Sequence, residues 1–177
     1  MKLRKILPML VLMLLMTAIL PVHAAASDDI IASGWVDNNI DWKITSDGTL
    51  TLSGSNAMSD SNIHWYSWTE YADVVTKIVV EEGVTSIGAA AFERFAQLTQ
   101  VHLSSTITKI GQASFYECTK LTSIHIPAGT TAVGSGAFYG CSSLSEITFD
   151  PQIESLIIGS GAFQKTGIKK LTLPACV

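Results

Sequence analysis

The residues best suited to chemistry are two histidines spaced 23 apart, His102 and His125. Imidazole nitrogens are common zinc and copper ligands, but a structural zinc site takes four ligands and a catalytic site about three. Glu146 is the only obvious third candidate near this pair in the sequence. Two histidines and one distant carboxylate do not fulfil the requirement, so we predict no metal site.

Other catalytic patterns are absent from the sequence. No H-E-x-x-H segment occurs, and the triplets Gly134-Ser135-Gly136 and Gly159-Ser160-Gly161 lack the G-x-S-x-G spacing of a nucleophile elbow. We therefore expect neither an enzyme nor a cofactor.

One segment imitates the start of a calcium-binding loop through Asp37, Asn39 and Asp41. Such a loop needs glycine at its sixth position and glutamate at its twelfth. Trp42 and Gly48 stand at those two positions, and calcium is therefore not expected.

Cys118 and Cys141 are also separated by 23 residues. Two explanations stay open: a disulfide between them, or two reduced thiols that act as small buried apolar groups. Phe95 stands 23 residues before Cys118, which favours packing as the role of the position. Cys176 has no equivalent partner.

The shared spacing belongs to a repeat that runs through the second half of the chain. Aligned at a period of 23, apolar residues recur in columns, which are Ile78/Val101/Ile124/Ile147, Ile87/Ile110/Val133, Phe92/Phe115/Phe138 and Leu98/Leu121/Leu144. A fourth copy keeps the order with shifted spacing around Phe163. A fixed period in the 20s indicates a solenoid, in which each unit buries its apolar side only against its neighbours.

The elements of one unit follow from its pattern. The segment Leu121-Thr-Ser-Ile124-His-Ile126 alternates apolar and polar residues, as a strand with one buried face does. The phenylalanine of each unit is placed in a short helical turn. We therefore predict an α/β repeat, a short solenoid of about four coils with a parallel sheet on one face.

The repeated phrases identify a family likeness. GTTAVGSGAFYGCSSL (129–144), TITKIGQASFYECTKL (106–121) and EEGVTSIGAAAFERFAQL (81–98) resemble the BspA-type leucine-rich repeats of bacterial and protist surface proteins. The resemblance implies a leucine-rich-repeat fold and a role in adhesion to matrix or cell-surface proteins. The segment 42–83 is similar to the cap that often precedes such arrays.

The N-terminus predicts export. Residues 1–24 combine a basic start, a 15-residue apolar run (6–20) and small residues at Val22-His23-Ala24, as a secretory signal peptide does. The run is short for a membrane span of about 20 residues, and no cysteine near the cleavage site permits lipidation. No wall-anchoring motif follows, which predicts a secreted or cell-surface protein with no membrane span after cleavage.

Charge narrows the class of partner. Without the signal peptide, 8 basic residues face 15 acidic ones, a net charge of -7. An acidic chain with scattered lysines is a poor ligand for nucleic acid or anionic lipid. A protein or another cell-surface or matrix ligand is the expected partner.

Residues 25–75 are predicted to form a β-rich cap, and residues 76–177 the repeats, the last one truncated. In the cap, Trp42-Ile44 and Leu50-Leu52 alternate around a Ser46-Asp47-Gly48 turn, which indicates a hairpin. The aromatic cluster Trp65, Tyr66, Trp68 and Tyr71 suits either a sugar-stacking platform or packing of the cap onto the first coil. Packing is preferred, since large aromatic side chains dominate core energetics.

The outward side chains of the repeat strands form the candidate binding site. They comprise Lys77, Gln100, His102, Ser123, His125, Glu146, Thr148 and Lys170. Solenoids use such faces to bind partners, which predicts a non-catalytic recognition module. The alternative is a structural spacer within a larger surface protein. The sequence stops inside a repeat at LPACV, and an uncapped coil would be open to self-association.

Overall fold

A computed structural model describes residues 29–36, 39–60 and 66–177 of the chain. The predicted signal peptide (1–24) lies outside the described residues, as do Asp37 of the calcium-like segment and Trp65 of the aromatic cluster.

The first three strands form an antiparallel meander. They are β1 (Ile30–Val36), β2 (Ile40–Thr45) and β3 (Thr49–Gly54). Ile40, Trp42 and Ile44 alternate with exposed residues and are buried, which is the period-two pattern of a half-buried strand. This arrangement matches the hairpin expected from the sequence.

The turn between β2 and β3 is stabilised by one carboxylate. Asp47 accepts hydrogen bonds from the hydroxyls of Thr45 (2.7 Å) and Thr49 (2.8 Å) and from the backbone N–H of Thr49 (2.9 Å). These bonds favour the ionised form, so the pKa of Asp47 lies below its ordinary value. Gly48 follows with φ +82°, a conformation that glycine adopts without strain.

Paired short strands then repeat along the chain. They are β4 (Asn56–Ala57), β5 (Lys77–Val80), β6 (Val84–Ile87), β7 (Gln100–His102), β8 (Lys109–Ile110), β9 (Ser123–Ile126), β10 (Ala132–Val133), β11 (Glu146–Phe149) and β12 (Ile157–Ile158). A short 3-10 helix, Ser67–Tyr71, precedes β5.

These strands stack into two parallel walls. The first sheet has the order β1-β2-β3-β5-β7, with β9 next to β7 and paired in parallel to β11. The second sheet has the order β12-β10-β8-β6-β4. Ile78 pairs with Val101 and Ile124 with Ile147, so the register equals the 23-residue period.

The third side of each unit is a chain of turns rather than a helix. No α-helix occurs in the ranges 29–36, 39–60 and 66–177, so the helical part of the predicted α/β repeat is corrected to turns. Ala113 and Glu117 have φ of +52° and +56°, which interrupts helical geometry. Alternate N–H groups instead donate to the next unit, as in Ala113→Ser135, Phe115→Ala137 and Glu117→Tyr139, at 2.8–3.0 Å.

A column of aromatic rings fills the space between the walls. Phe92, Phe115 and Phe138 are fully buried, with successive ring centroids 5.3 and 5.2 Å apart. Phe163 continues the column at 5.7 Å, and Trp68 begins it 5.8 Å from Phe92. The three inner rings, Phe92, Phe115 and Phe138, are therefore each covered by aromatic rings on both sides.

Close approach of successive units requires glycine at their corners. A Cβ added to Gly134 would lie 2.5 Å from the backbone nitrogen of Gln112, and one added to Gly159 would lie 2.3 Å from that of Ser135. Real Cβ atoms do not come this close to backbone, so the recurrent glycine sets the spacing between coils.

The last unit departs from the expected sheet. Lys170 is exposed and, with the neighbouring Thr172, lies outside any strand, contrary to their predicted place on the sheet face. Two residues gained before Phe163 and one lost before Ile168 move this segment out of register with β11.

Within the described part of the chain, no helix has the length and apolar character that crossing a membrane requires.

The aromatic column predicts a large effect of ring removal. Replacing Phe115 by alanine leaves a cavity between two stacked rings and should lower the free energy of unfolding by about 3–5 kcal/mol, measured by chemical denaturation. The exposed neighbour Gln112 provides the control, because Gln112→Ala should change stability by less than about 0.5 kcal/mol. Equal effects of the two variants would contradict a ring column as the core.

Candidate binding face

The outward side chains of the first sheet and of the adjoining β9–β11 pair form two parallel rows. One row contains Thr49, Lys77, Gln100, Ser123 and Glu146, and the other contains Lys43, Val79, His102, His125 and Thr148, with the buried Thr51 between Lys43 and Val79. The residues between them along each strand, such as Ile78 and Ile124, point into the core. Strand alternation therefore separates the polar face from the core.

Four of the predicted site residues surround one depression on this face. Its volume is about 560 Å³, and it is lined by Lys77, Gln100, His102 and Ser123 together with Val79, Val101 and Thr122. Its polar side chains can donate and accept hydrogen bonds, and the half-buried Val79 adds an apolar surface.

The next two strands carry the remaining predicted residues of the face. His125, Glu146 and Thr148 are exposed, and Nδ1 of His125 lies 3.0 Å from Oγ1 of Thr148 in the adjacent strand. Lys170, which was also predicted to belong here, is not brought onto the sheet.

The charges of the face are available to a partner. None of the ion pairs formed by residues 29–36, 39–60 and 66–177 includes Lys77 or Glu146. Lys77 lies toward the N-terminal end of the array and Glu146 three strands further on, so a bound ligand would meet opposite charges at its two ends.

Metal-ligand chemistry gains no support from this arrangement. Among the described residues, no three His, Cys, Asp or Glu side chains are grouped closely enough to hold an ion. The exposed histidines of β7 and β9 can form hydrogen bonds to a partner.

The aromatic cluster packs into the core where the structure describes it. Trp68 is fully buried and its Nε1–H donates to the carbonyl of Ala91 (2.8 Å). Tyr66 stacks on Trp68 at 4.8 Å and its hydroxyl donates to the carbonyl of Ser59 (2.9 Å). Neither ring offers a free face to a sugar, in agreement with the packing interpretation.

The comparison with family models decides the identity of the repeat. The model of the "BspA type Leucine rich repeat region (6 copies)" matches residues 61–177. The chain belongs to the BspA-type leucine-rich repeat family. The resemblance inferred from the repeated segments 81–98, 106–121 and 129–144 is thereby confirmed.

Solved leucine-rich-repeat structures show the same fold. A leucine-rich repeat protein from Eubacterium ventriosum is 22% identical (TM-score 0.50) and is matched over 70% of this chain and 45% of its own length. The leucine-rich repeat protein of T. pallidum is 18% identical (TM-score 0.53), over 74% and 67%. One from Bacteroides ovatus is 24% identical (TM-score 0.51), over 68% and 35%.

The chain spans less than half the length of the first of these proteins. At such identities the likeness shows the fold alone. Comparison with curated proteins finds no match.

Sequence reasoning missed that the face of these BspA-type repeats continues onto the hairpin. Lys43 pairs with Thr51 and Thr51 with Val79, so β2 and β3 extend the second row of the face. The alternation of Lys43 with the buried residues Trp42 and Ile44 could have shown that Lys43 points outward. This alternation does not show that β3 pairs in parallel with β5, which is what brings the hairpin onto the face.

A second surface feature lies on the turn side of the repeats. Tyr116 and Tyr139 stack with centroids 5.0 Å apart, and the Lys165 ammonium lies 4.9 Å above Tyr139. The recurrence of tyrosine in SFYEC and AFYGC was the sequence signal for this ladder. Because the rings cover one another, the ladder is an intercoil contact.

The cysteines occupy the same interior column of the BspA-type units. Cys118 and Cys141 are fully buried, and their Sγ atoms lie 3.1 and 3.0 Å from the carbonyl oxygens of Phe92 and Phe115, at which reduced thiols would donate hydrogen bonds. Burial raises the pKa of the Cys118 thiol well above its ordinary value. The disulfide between Cys118 and Cys141 stays a prediction.

This burial predicts selective alkylation. Only the thiolate reacts, so iodoacetamide at pH 7.5 should label the half-buried Cys176 first and leave Cys118 and Cys141 unlabelled until denaturant is added. Peptide mass mapping under non-reducing conditions measures each site and also detects a linked pair. Native labelling of Cys118 as fast as Cys176 would contradict the buried-thiol arrangement.

Proposed function

We propose that this chain is a non-catalytic recognition module that binds a protein ligand on a cell surface or in a matrix through the outward face of its first sheet. The observation that carries the proposal is the depression bordered by Lys77, Gln100, His102 and Ser123. Polar side chains on consecutive strands suit recognition, because the backbone that carries them is already ordered and loses little conformational entropy on binding.

The shape and charge of the face support a protein ligand. The rows present cationic, neutral and anionic groups about 4.8 Å apart from strand to strand. An extended segment with an acidic group near Lys77 and a basic group near Glu146 would complement them. Such complementarity contributes to specificity and association rate more than to raw affinity.

Export belongs to the same proposal. A signal peptide at residues 1–24 would place the module outside the cell, as a secreted or surface-attached protein. The acidic balance of the remaining chain, with 8 basic and 15 acidic residues, is compatible with a soluble recognition domain and unfavourable for polyanions.

The hairpin is proposed to cap the array. β3 pairs in parallel with β5 from Thr49/Lys77 to Leu52/Val80, which satisfies the strand edge that the first repeat would otherwise expose. Trp68 covers the N-terminal face of Phe92. These two contacts give the first repeat the neighbours that inner repeats supply to one another.

The binding role predicts a face-specific loss. His125→Ala combined with Glu146→Ala should weaken capture of a bound matrix protein about tenfold, because two hydrogen-bonding groups of about 0.5–1.5 kcal/mol each are removed. The measurement is surface plasmon resonance over immobilised collagen, laminin, fibronectin and fibrinogen.

The control carries equally exposed changes away from the face, namely Gln112→Ala combined with Glu154→Ala. Both double variants should keep the wild-type melting temperature. If no matrix protein binds, or if both double variants bind as the wild type does, the spacer role replaces the recognition role.

A further inference from the structure

Strand β1 forms the free edge of the first sheet. The sheet order begins β1-β2-β3, and β1 pairs only with β2 among the strands of the described ranges. One side of the Ile30–Val36 backbone therefore presents N–H and C=O groups that no strand satisfies, which is a template for pairing with another chain.

This edge is unusually apolar. Three of the seven exposed large hydrophobic side chains in the described residues lie on it, namely Ile30 (60% exposed), Ile31 (50%) and Trp35 (72%). The strand IIASGWV contains no charged residue and no proline. Natural edge strands are commonly protected by such residues, so the composition favours a covered edge.

We propose that β1 pairs antiparallel with β1 of a second copy, about a two-fold axis through Ser33. The strand is self-complementary about this residue. Ser33 would face Ser33 of the second copy, Ala32 would face Gly34, Ile31 would face Trp35, and Ile30 would face Val36. In a two-fold contact, each residue lies opposite the residue that is equally far from the axis on the other side. The two halves of the strand must therefore fit each other.

The bulge in β1 is compatible with this register. The pairing with β2 is irregular between Ile30 and Ala32, so two successive isoleucines are exposed at this end of the strand. Ile31 can therefore cover the indole of Trp35 from the opposite copy, while Ile30 lies beside it, opposite Val36. A cross-strand contact between an aromatic and a β-branched residue contributes about 0.2–1 kcal/mol.

Electrostatics also permit the contact. In the row beside Ser33, the nearest lysine is Lys43 on β2. The Lys43 residues of two copies would be separated by three strand spacings, about 14 Å. This exceeds the Debye length of about 8 Å in physiological salt, so their repulsion is screened.

The geometry joins the two first sheets into one continuous sheet. A two-fold axis perpendicular to the sheet at Ser33 keeps the outward rows of both copies on the same side. The contact is smaller than a standard interface of about 1,600 Å², so we expect a dimer that dissociates on dilution.

Introducing a charge at Ser33, the residue on the two-fold axis, tests the proposal. Ser33→Lys places two lysines opposite each other across the axis, and Ser33→Glu places two glutamates there. Each change should weaken dimerisation about fivefold or more, because like charges directly opposite are destabilising. Mixing the two variants in equal amounts should restore the dimer through opposite charges. Sedimentation equilibrium of the full chain measures all four samples.

The controls separate this contact from others. Ser155→Lys introduces the same charge at an exposed position outside the strands and should leave dimerisation unchanged, and circular dichroism should show the same fold in every variant. A wild-type chain that stays monomeric at millimolar concentration would overturn the proposal. A dimer that persists in both Ser33 variants would also overturn it and would indicate a contact through another surface, such as Leu173–Val177. A mixture of the two variants that stays monomeric would overturn it as well.

Discussion

The structure depends on one constraint: no unit can complete its own core or its own backbone hydrogen bonds. Among the described residues, the aromatic neighbours of Phe115 are Phe92 in the unit before it and Phe138 in the unit after it. On the turn side, the N–H groups of Ala113, Phe115 and Glu117 have their partners one unit further on. Buried backbone groups must be paired, so stacking the coils is a condition of folding.

The same stacking produces the candidate binding surface. Because the coils from β5 to β11 follow one another in register, a residue at one position of a strand recurs in the neighbouring strand on the same face. His102 and His125 are aligned in this way, as are Gln100 and Ser123. The hairpin joins the array through the pairing of β3 with β5. The rows of outward side chains therefore extend from β2 to β11 across the first sheet and the adjoining β9–β11 pair.

Much of this architecture follows from the 23-residue period, because a period assigns each residue to a column and each column to core or surface. The buried positions of Phe115, Cys118 and Leu121 could be predicted in this way. The conformation of the turn side could not, because the positive φ of Ala113 and Glu117 depends on hydrogen bonds to the next coil. Trp68 stands one residue out of phase with the phenylalanines, and only its long side chain brings the indole into their column. Lys170 was misplaced because the altered spacing around Phe163 breaks the register on which its assignment relied.

The hairpin and the repeats form one stacked array, joined through β3 and β5. Hydrogen–deuterium exchange, followed by mass spectrometry on peptides from β3, β5 and β9, tests it most directly, since exchange reports which segments open together. A single array predicts that amides of Thr49–Gly54 are protected as strongly as those of Lys77–Val80 and that both lose protection in one cooperative opening. Rapid exchange throughout β3 while β5 and β9 stay protected would show that the hairpin and the repeats do not form a single stacked array.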